Sequence, residues 1–254
     1  MVRVAGNPNA FKNVTSSALL TRWLARRSYP CVVPAEVDPF LVAGRVVSLW
    51  RLLDVVDEPP VAGAELGELL RELHSQPTPP VELRQLVDPF ESVAAAIHQH
   101  PDALIEGDLV WLNERVRQLR NTWAALSPVL PTGLIHGDAH TNNVMRLATG
   151  QAVLADWDHA AQGPREWDLI QVHYMACRFG RHGQEDLDRF TTAYGWDVRD
   201  WSGAETLLQI REITGLSPYI RKASTDRIAY REVSRRVGSL HKVDASVRWN
   251  SPNH

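Results

Sequence analysis

Asp138 and Asn143 are five positions apart, His136 precedes the aspartate by two, and Asp156 follows the asparagine by thirteen. An unperturbed aspartate titrates at about 3.9, so Asp138 is expected to be ionised at neutral pH and able to accept or orient the proton of an attacking hydroxyl. Asn143 and Asp156 offer an amide oxygen and a carboxylate. Magnesium takes oxygen ligands in octahedral geometry and usually keeps several waters, so these two groups and phosphate oxygens suffice to hold it. A single Asp or Asn after a strand reads as turn chemistry, its side chain bonding to nearby backbone. The joint spacing, His-x-Asp-x-x-x-x-Asn with a later Asp, predicts phosphoryl transfer instead.

Those residues need elements to bring them together. Gly133 to His136 is a short apolar run after Pro131 and predicts a strand leading into a loop. Val144 to Leu147 and Ala152 to Ala155 predict the two strands of a hairpin that turns at Ala148 to Gln151. Such a hairpin carries the chain away from Asn143 and returns Asp156 to its side. Upstream, the pattern predicts a strand at Val2 to Ala5, a polar break at Gly6 to Asn9, and a helix capped by Asn13 or Thr15 with Leu19, Leu20, Trp23 and Leu24 on its apolar face. Phe40 to Ala43 and Arg45 to Leu52 predict two further strands, and Asp57 to Pro60 a linker. Helical stripes follow at Leu66, Leu69, Leu70 and Leu73, and at Leu112, Val116, Leu119, Trp123 and Leu126. Later helices are expected over Pro164 to Cys177, Gln184 to Tyr194, Ser202 to Arg221 and Thr225 to His241.

The 254 residues, 44% of them hydrophobic, are enough for one large domain or two packed lobes with a substantial core. A net charge of −3 gives no reason to expect a nucleic-acid partner, and no protein partner is inferred. Cys31 and Cys177 form neither a metal-ligand spacing nor a disulfide framework and read as small buried apolar side chains. No apolar run approaches the length of a membrane span, and the first residues lack the apolar core of a signal peptide, so a cytoplasmic protein without membrane contact is expected.

The stretches HGDAHTNNV, LADWDHAAQGPREWDL, SLWRLLD and GELLRELH together resemble the aminoglycoside phosphotransferase family, which includes choline-kinase-like members, over roughly Val2 to Leu240. The resemblance implies an α+β, protein-kinase-like two-lobed fold. A small, incomplete N-terminal α/β lobe would occupy residues 1–56 and bind nucleotide, and a mainly helical C-terminal lobe, 57–254, would carry the catalytic loop and acceptor site. It implies ATP and Mg²⁺ as cofactors, with ATP at the hinge near Trp50 and Leu52. Asp138 would be the catalytic base, and Asn143 and Asp156 the metal ligands. Asp158 would be a second acidic residue near the metals, Asp168 an anchor for the catalytic loop, and His140 a loop-packing residue near the phosphates. His136 reads as an imidazole bonded to backbone.

The chain departs from that family at its start. Val2 to Val4 aligns with the strand that follows a glycine-rich phosphate-covering hairpin, which places Arg3 where a lysine is usual, as the basic nucleotide-binding group. Ser16 and Ser17 lie where the family has a glutamate partner for that base. Weak turnover is the expectation, and a catalytically weak nucleotide-binding protein is one alternative. A metal-dependent hydrolase using His136, Asp138 and His140 on zinc or iron is the other. As acceptor, a small-molecule hydroxyl is expected. Trp201 to His254 holds nine Lys or Arg against five Asp or Glu, which favours a neutral or anionic compound over a polycation. Trp196, Trp201 and Tyr219 are candidates for an apolar acceptor pocket, although aromatic residues at helical spacing are more often core.

Overall fold

The computed structural model describes residues 1–5, 10–56 and 62–250, so the polar break at Gly6 to Asn9 and the linker at Asp57 to Pro60 lie outside the described residues. Packing divides the chain into two discontinuous units. The first comprises Met1–Gln85, Leu130–Leu169 and Gln184–Asp197, and the second Leu86–Val129, Ile170–Gly183 and Val198–His254. The sequence division at residue 56 follows chain order, whereas these units follow packing and gather distant segments around each core.

In the first unit, β1 (Val2–Ala5), β2 (Phe40–Val42) and β3 (Arg45–Leu49) form an antiparallel sheet in the order β1-β3-β2, with Arg3 opposite Ser48. The β2–β3 turn places Ala43 and Gly44 at positive φ, as a two-residue hairpin whose twist matches its strands requires. The strand expected to reach Leu52 stops at Leu49. Helix α1 (Phe11–Arg26) starts earlier than expected: Ala10 precedes it with no side-chain cap, and Asn13 and Thr15 lie inside it. Val14, Ala18, Leu20 and Leu24 are buried, but Leu19 is 43% exposed because the inward stripe runs through positions 14, 17, 18, 21 and 24.

The expected hairpin is present as β7 (Val144–Leu147) and β8 (Ala152–Leu154), with β4 (Val55–Val56) added beyond β7. A third sheet joins β5 (Arg84–Gln85), β9 (Ala161–Gly163) and β6 (Gly133–Ile135) in the order β5-β9-β6. Helix α2 (Gly63–Ser75) turns Leu66, Leu70 and Leu73, all fully buried, into the core, each contributing about 1.5–3 kcal/mol. It packs on α6 (Gln184–Tyr194) at Gly67, where a Cβ would come within 2.5 Å of the Phe190 carbonyl oxygen. Glu65 accepts from the Ala62 N–H at 2.9 Å and from Arg146 at 2.6 Å, which ties the start of α2 to β7.

The described residues of the second unit are helical apart from their connections. They include α3 (Glu91–Gln99), which the sequence reading did not anticipate, and α4 (Glu106–Ala125), with Leu112, Val116 and Leu119 buried. Helix α5 (Glu166–Phe179) supplies its first residues to the first unit. The single helix expected over Ser202 to Arg221 is instead two, α7 (Ala204–Thr214) and α8 (Ser217–Lys222). Pro218 explains the break, since it lacks an N–H and its ring would clash with the carbonyl four residues earlier in a continuous helix. Helix α9 (Arg227–His241) is capped by Asp226, whose carboxylate accepts from Ile228 and Ala229 N–H at 2.8 and 3.3 Å. Among the described residues, no helix is long and apolar enough to cross a membrane.

Replacing Gly67 by Ala should destabilise the protein by about 1–3 kcal/mol, the usual cost of overpacking. Urea unfolding measures this, and an unchanged midpoint would show that α2 and α6 do not approach so closely.

Candidate active site

Strand β6 delivers the chain to His136 and Gly137, and the loop that follows is anchored on a buried carboxylate. Asp168 accepts from the His136 N–H at 2.7 Å and from the Gly137 N–H at 2.8 Å. His74 Nε2 lies 3.2 Å from the same carboxylate, and His74 Nδ1 lies 2.9 Å from the Tyr194 hydroxyl. Burial alone would raise the Asp168 pKa, but the hydrogen bonds from His74 and from the His136 backbone N–H hold the carboxyl below its ordinary value. Gly137 sits at φ +86°, and a Cβ there would stand 2.1 Å from the His159 carbonyl oxygen, so no other residue fits. Its own carbonyl accepts from the Trp167 indole at 3.0 Å.

The His136 ring is fully buried against Trp157, with ring centroids 4.8 Å apart, and Nε2 donates to the Ala155 carbonyl at 2.9 Å. Burial lowers its pKa, although Asp168, Asp138 and Asp156 pull the other way. The imidazole is therefore a neutral strut between the loop and the end of β8.

Asn143 closes the same gap from the other side. Its side-chain N–H donates to the Asp138 carbonyl at 2.8 Å, and its own carbonyl accepts from the Ala155 N–H at 2.7 Å. One residue thus touches the backbone of Asp138 and the residue before Asp156. With the amide nitrogen bonded to the loop, the amide oxygen is the atom of Asn143 that could serve as a hard donor to Mg²⁺. Asp156, two residues beyond β8, adopts φ 59° and ψ 64°, a left-handed conformation that leads into a short 3₁₀ turn, Trp157–His159. The chemistry of the donor set, one carboxylate and one amide oxygen, is of the kind magnesium takes. His140 Nε2 lies 3.6 Å from Asp138 Oδ2. His136, turned toward Ala155, does not join them, and among the described residues no group of three or more His, Cys, Asp or Glu is placed to hold a metal ion. The hydrolase trio is not assembled.

Arg3 reaches this region from β1. Its guanidinium grips Asp158 with both terminal nitrogens, at 2.8 and 2.5 Å, and lies 3.4 Å from Asp156 Oδ1. Ser17, near the position of the family's glutamate, shares its hydroxyl proton between the Asn13 carbonyl at 2.9 Å and the Trp157 carbonyl at 3.0 Å. Trp50 is buried, its indole donating to Ser48, whereas Leu52 is 86% exposed. Thus only Leu52 of that pair offers an open side chain. Trp201 and Tyr219 are buried within the second unit, bonded to the Ser127 and Asn250 carbonyls; Trp201 serves as core, whereas Tyr219 also lines a cavity with Lys222, Asp226 and Arg235.

Residues 12–207 match the family model described as the phosphotransferase enzyme family, APH. The chain belongs to that family. No match is found among curated proteins compared by sequence. Among solved structures, the chain is similar to amicoumacin kinase hAmiN in complex with AMP-PNP, Ca²⁺ and Ami, at TM-score 0.68 and 12% identity over 98% of this chain and 83% of that one. Choline kinase LicA from Streptococcus pneumoniae gives 0.64 and 15%, over 94% and 85%. The aminoglycoside phosphotransferase APH(3'')-Id from Streptomyces rimosus, in complex with ADP and streptomycin, gives 0.60 and 18%, over 84% and 86%. At these identities the likeness shows a shared fold, the protein-kinase-like one, here with a small N-terminal lobe.

For this phosphotransferase-family chain, sequence reasoning missed His74 and Tyr194, the outer partners of Asp168. The available signal was a polar residue following Leu66, Leu70 and Leu73 on a buried helical face. It also missed Trp157 as the packing surface for His136.

Two outcomes follow from the anchor. Asp168→Ala leaves buried donors without an acceptor and should cost about 3–5 kcal/mol in urea unfolding, whereas a loss under 1 kcal/mol would deny it the anchoring role. Because the folded His136 pKa lies below its ordinary 6.5, its contribution is complete above that pH and is lost as the pH falls below it. Stability measured from pH 8 to 5 should therefore fall on the acid side in wild type and fall less steeply in His136→Gln.

Proposed function

We propose that this family member is an ATP- and Mg²⁺-dependent phosphotransferase that passes the γ-phosphoryl group to a hydroxyl of a small molecule. The observation that carries the reading is the bridging position of Asn143, bonded to Asp138 on one side and Ala155 on the other. In this reading Asp138 orients the acceptor hydroxyl and takes its proton, and Asn143 and Asp156 hold Mg²⁺. When bound, the cation neutralises charge on the phosphate oxygens. The Asp168 anchor keeps the loop from relaxing away from the hydroxyl, and His140 packs beside Asp138. Residues 1–56, with Arg3, Trp50 and Leu52, form the nucleotide side, and 57–254 carry the loop and acceptor side. We place the protein in the cytoplasm.

The acceptor is proposed to be neutral or anionic. Of the nine basic residues between Trp201 and His254, Arg211 and Arg236 are buried, as are Glu212 and Glu232 among the acidic ones, so the exposed excess of positive charge is undiminished. A clustered-carboxylate site for a polycation has no support there. A second reading, a catalytically weak nucleotide binder, is favoured by one observation: the charge of Arg3 is already engaged by carboxylates.

Asp138→Ala should lower turnover about 10²–10⁴-fold with nucleotide binding retained, and Asp156→Ala should abolish the Mg²⁺-dependent part of ATP binding in calorimetry run with and without the metal. Unchanged turnover in the first variant removes Asp138 from the chemistry. Nucleotide binding by wild type without turnover on any alcohol favours the second reading.

A further inference from the structure

A basic side chain on the strand of a kinase-like site is expected to contact phosphates and a carboxylate on the adjacent helix. Here α1 contains neither Asp nor Glu, so no carboxylate from that helix is available to Arg3. The guanidinium fork is occupied by Asp158, two nitrogens on two oxygens, with a longer reach to Asp156. A bidentate pair fixes the orientation of both partners, which a single ammonium contact does not. Lys12 and Arg84 line, with Asp158, a small cavity of about 160 Å³, but Lys12 pairs with Glu82 at 2.7 Å and Arg84 donates to the His159 carbonyl.

Asp158 lies in the 3₁₀ turn that begins just after Asp156. The orientation of the Asp156 carboxylate depends on that turn, because Asp156 leads directly into it from a left-handed backbone conformation. The contacts that hold the turn include the buried Ser17 hydroxyl on the Trp157 carbonyl, Arg84 on the His159 carbonyl, the His136 ring against Trp157, and Arg3 on Asp158. The Arg3 contact pairs a cation with the turn's own carboxylate.

We propose that Arg3 is a positioning residue for the metal site. It acts through Asp158 to hold the 3₁₀ turn and aim the Asp156 carboxylate at the divalent cation, in place of the strand-to-helix ion pair. This rests on the proposed function and sharpens it, since Arg3 then serves the cation rather than the phosphates. The pair contributes little to stability, because the Arg3 and Asp158 side chains are 39% and 33% exposed and solvent screens them.

A double-mutant cycle with Arg3→Met and Asp158→Asn tests this, reading the affinity for AMP-PNP by calorimetry with and without Mg²⁺. Each single variant should weaken Mg²⁺-dependent binding roughly tenfold, and the double variant no further, because one removed contact cannot be lost twice. The loss should be clearly smaller without metal than with it, and Arg3→Lys should restore only part of it. Additive losses or an unchanged Arg3→Met would overturn the proposal, and an equal loss without metal would overturn it and return Arg3 to the phosphates. Wild type without any Mg²⁺-enhanced nucleotide binding would instead overturn the proposed function, so the two failures are told apart.

Discussion

The candidate site depends on one buried carboxylate. Asp168 is inaccessible to water yet carries charge, which an apolar interior tolerates only when donors converge on it. Two of those donors are the successive backbone N–H groups of His136 and Gly137, so the carboxylate fixes the path of the loop just before Asp138. His74, backed by Tyr194, adds a third contact from α2. The anchor therefore ties the start of α5, the face of α2 and the end of β6 to one point. Loop position then becomes a property of the core rather than of the loop's own weak preferences.

From that fixed point the geometry passes outward through hydrogen bonds that each join two segments. His136 connects the loop to Ala155, and Asn143 connects it to Asp138 and Ala155 together. A neutral imidazole suits this position, since a charged ring buried against Trp157 would itself need a partner. At the rim the character changes. Arg3, Asp156 and Asp158 are partly exposed and charged, so their contacts set direction and local potential more than stability.

The second unit follows a different logic. Buried Arg236 bonds Glu232 and the Asn250 carbonyl and lies 3.9 Å from the centre of the Tyr219 ring, so a charge that reads on paper as part of a basic surface is internal. Arg178 and Glu212 form a second buried pair. Charge counts along a sequence mix such internal pairs with solvated faces, and only burial separates them. The excess over Trp201 to His254 outlasts that correction because the buried members cancel.

The sequence by itself determined the elements that rest on local physics: the leucine stripe of α2, the β7–β8 hairpin with Asp156 at its end, and the spacing of Asp138, Asn143 and Asp156. Side-chain periodicity and turn chemistry act over a few residues, and these features require nothing more. The break between α7 and α8 was also locally encoded, in Pro218, though the apolar pattern masked it. What only the tertiary structure decided were the partners of charge and polarity across long stretches of chain. Arg3 takes Asp158, 155 residues away, and His74 takes Asp168, 94 residues away. Such pairings are chosen by where packing leaves a donor facing an acceptor away from water, and residue type and spacing carry no record of that choice.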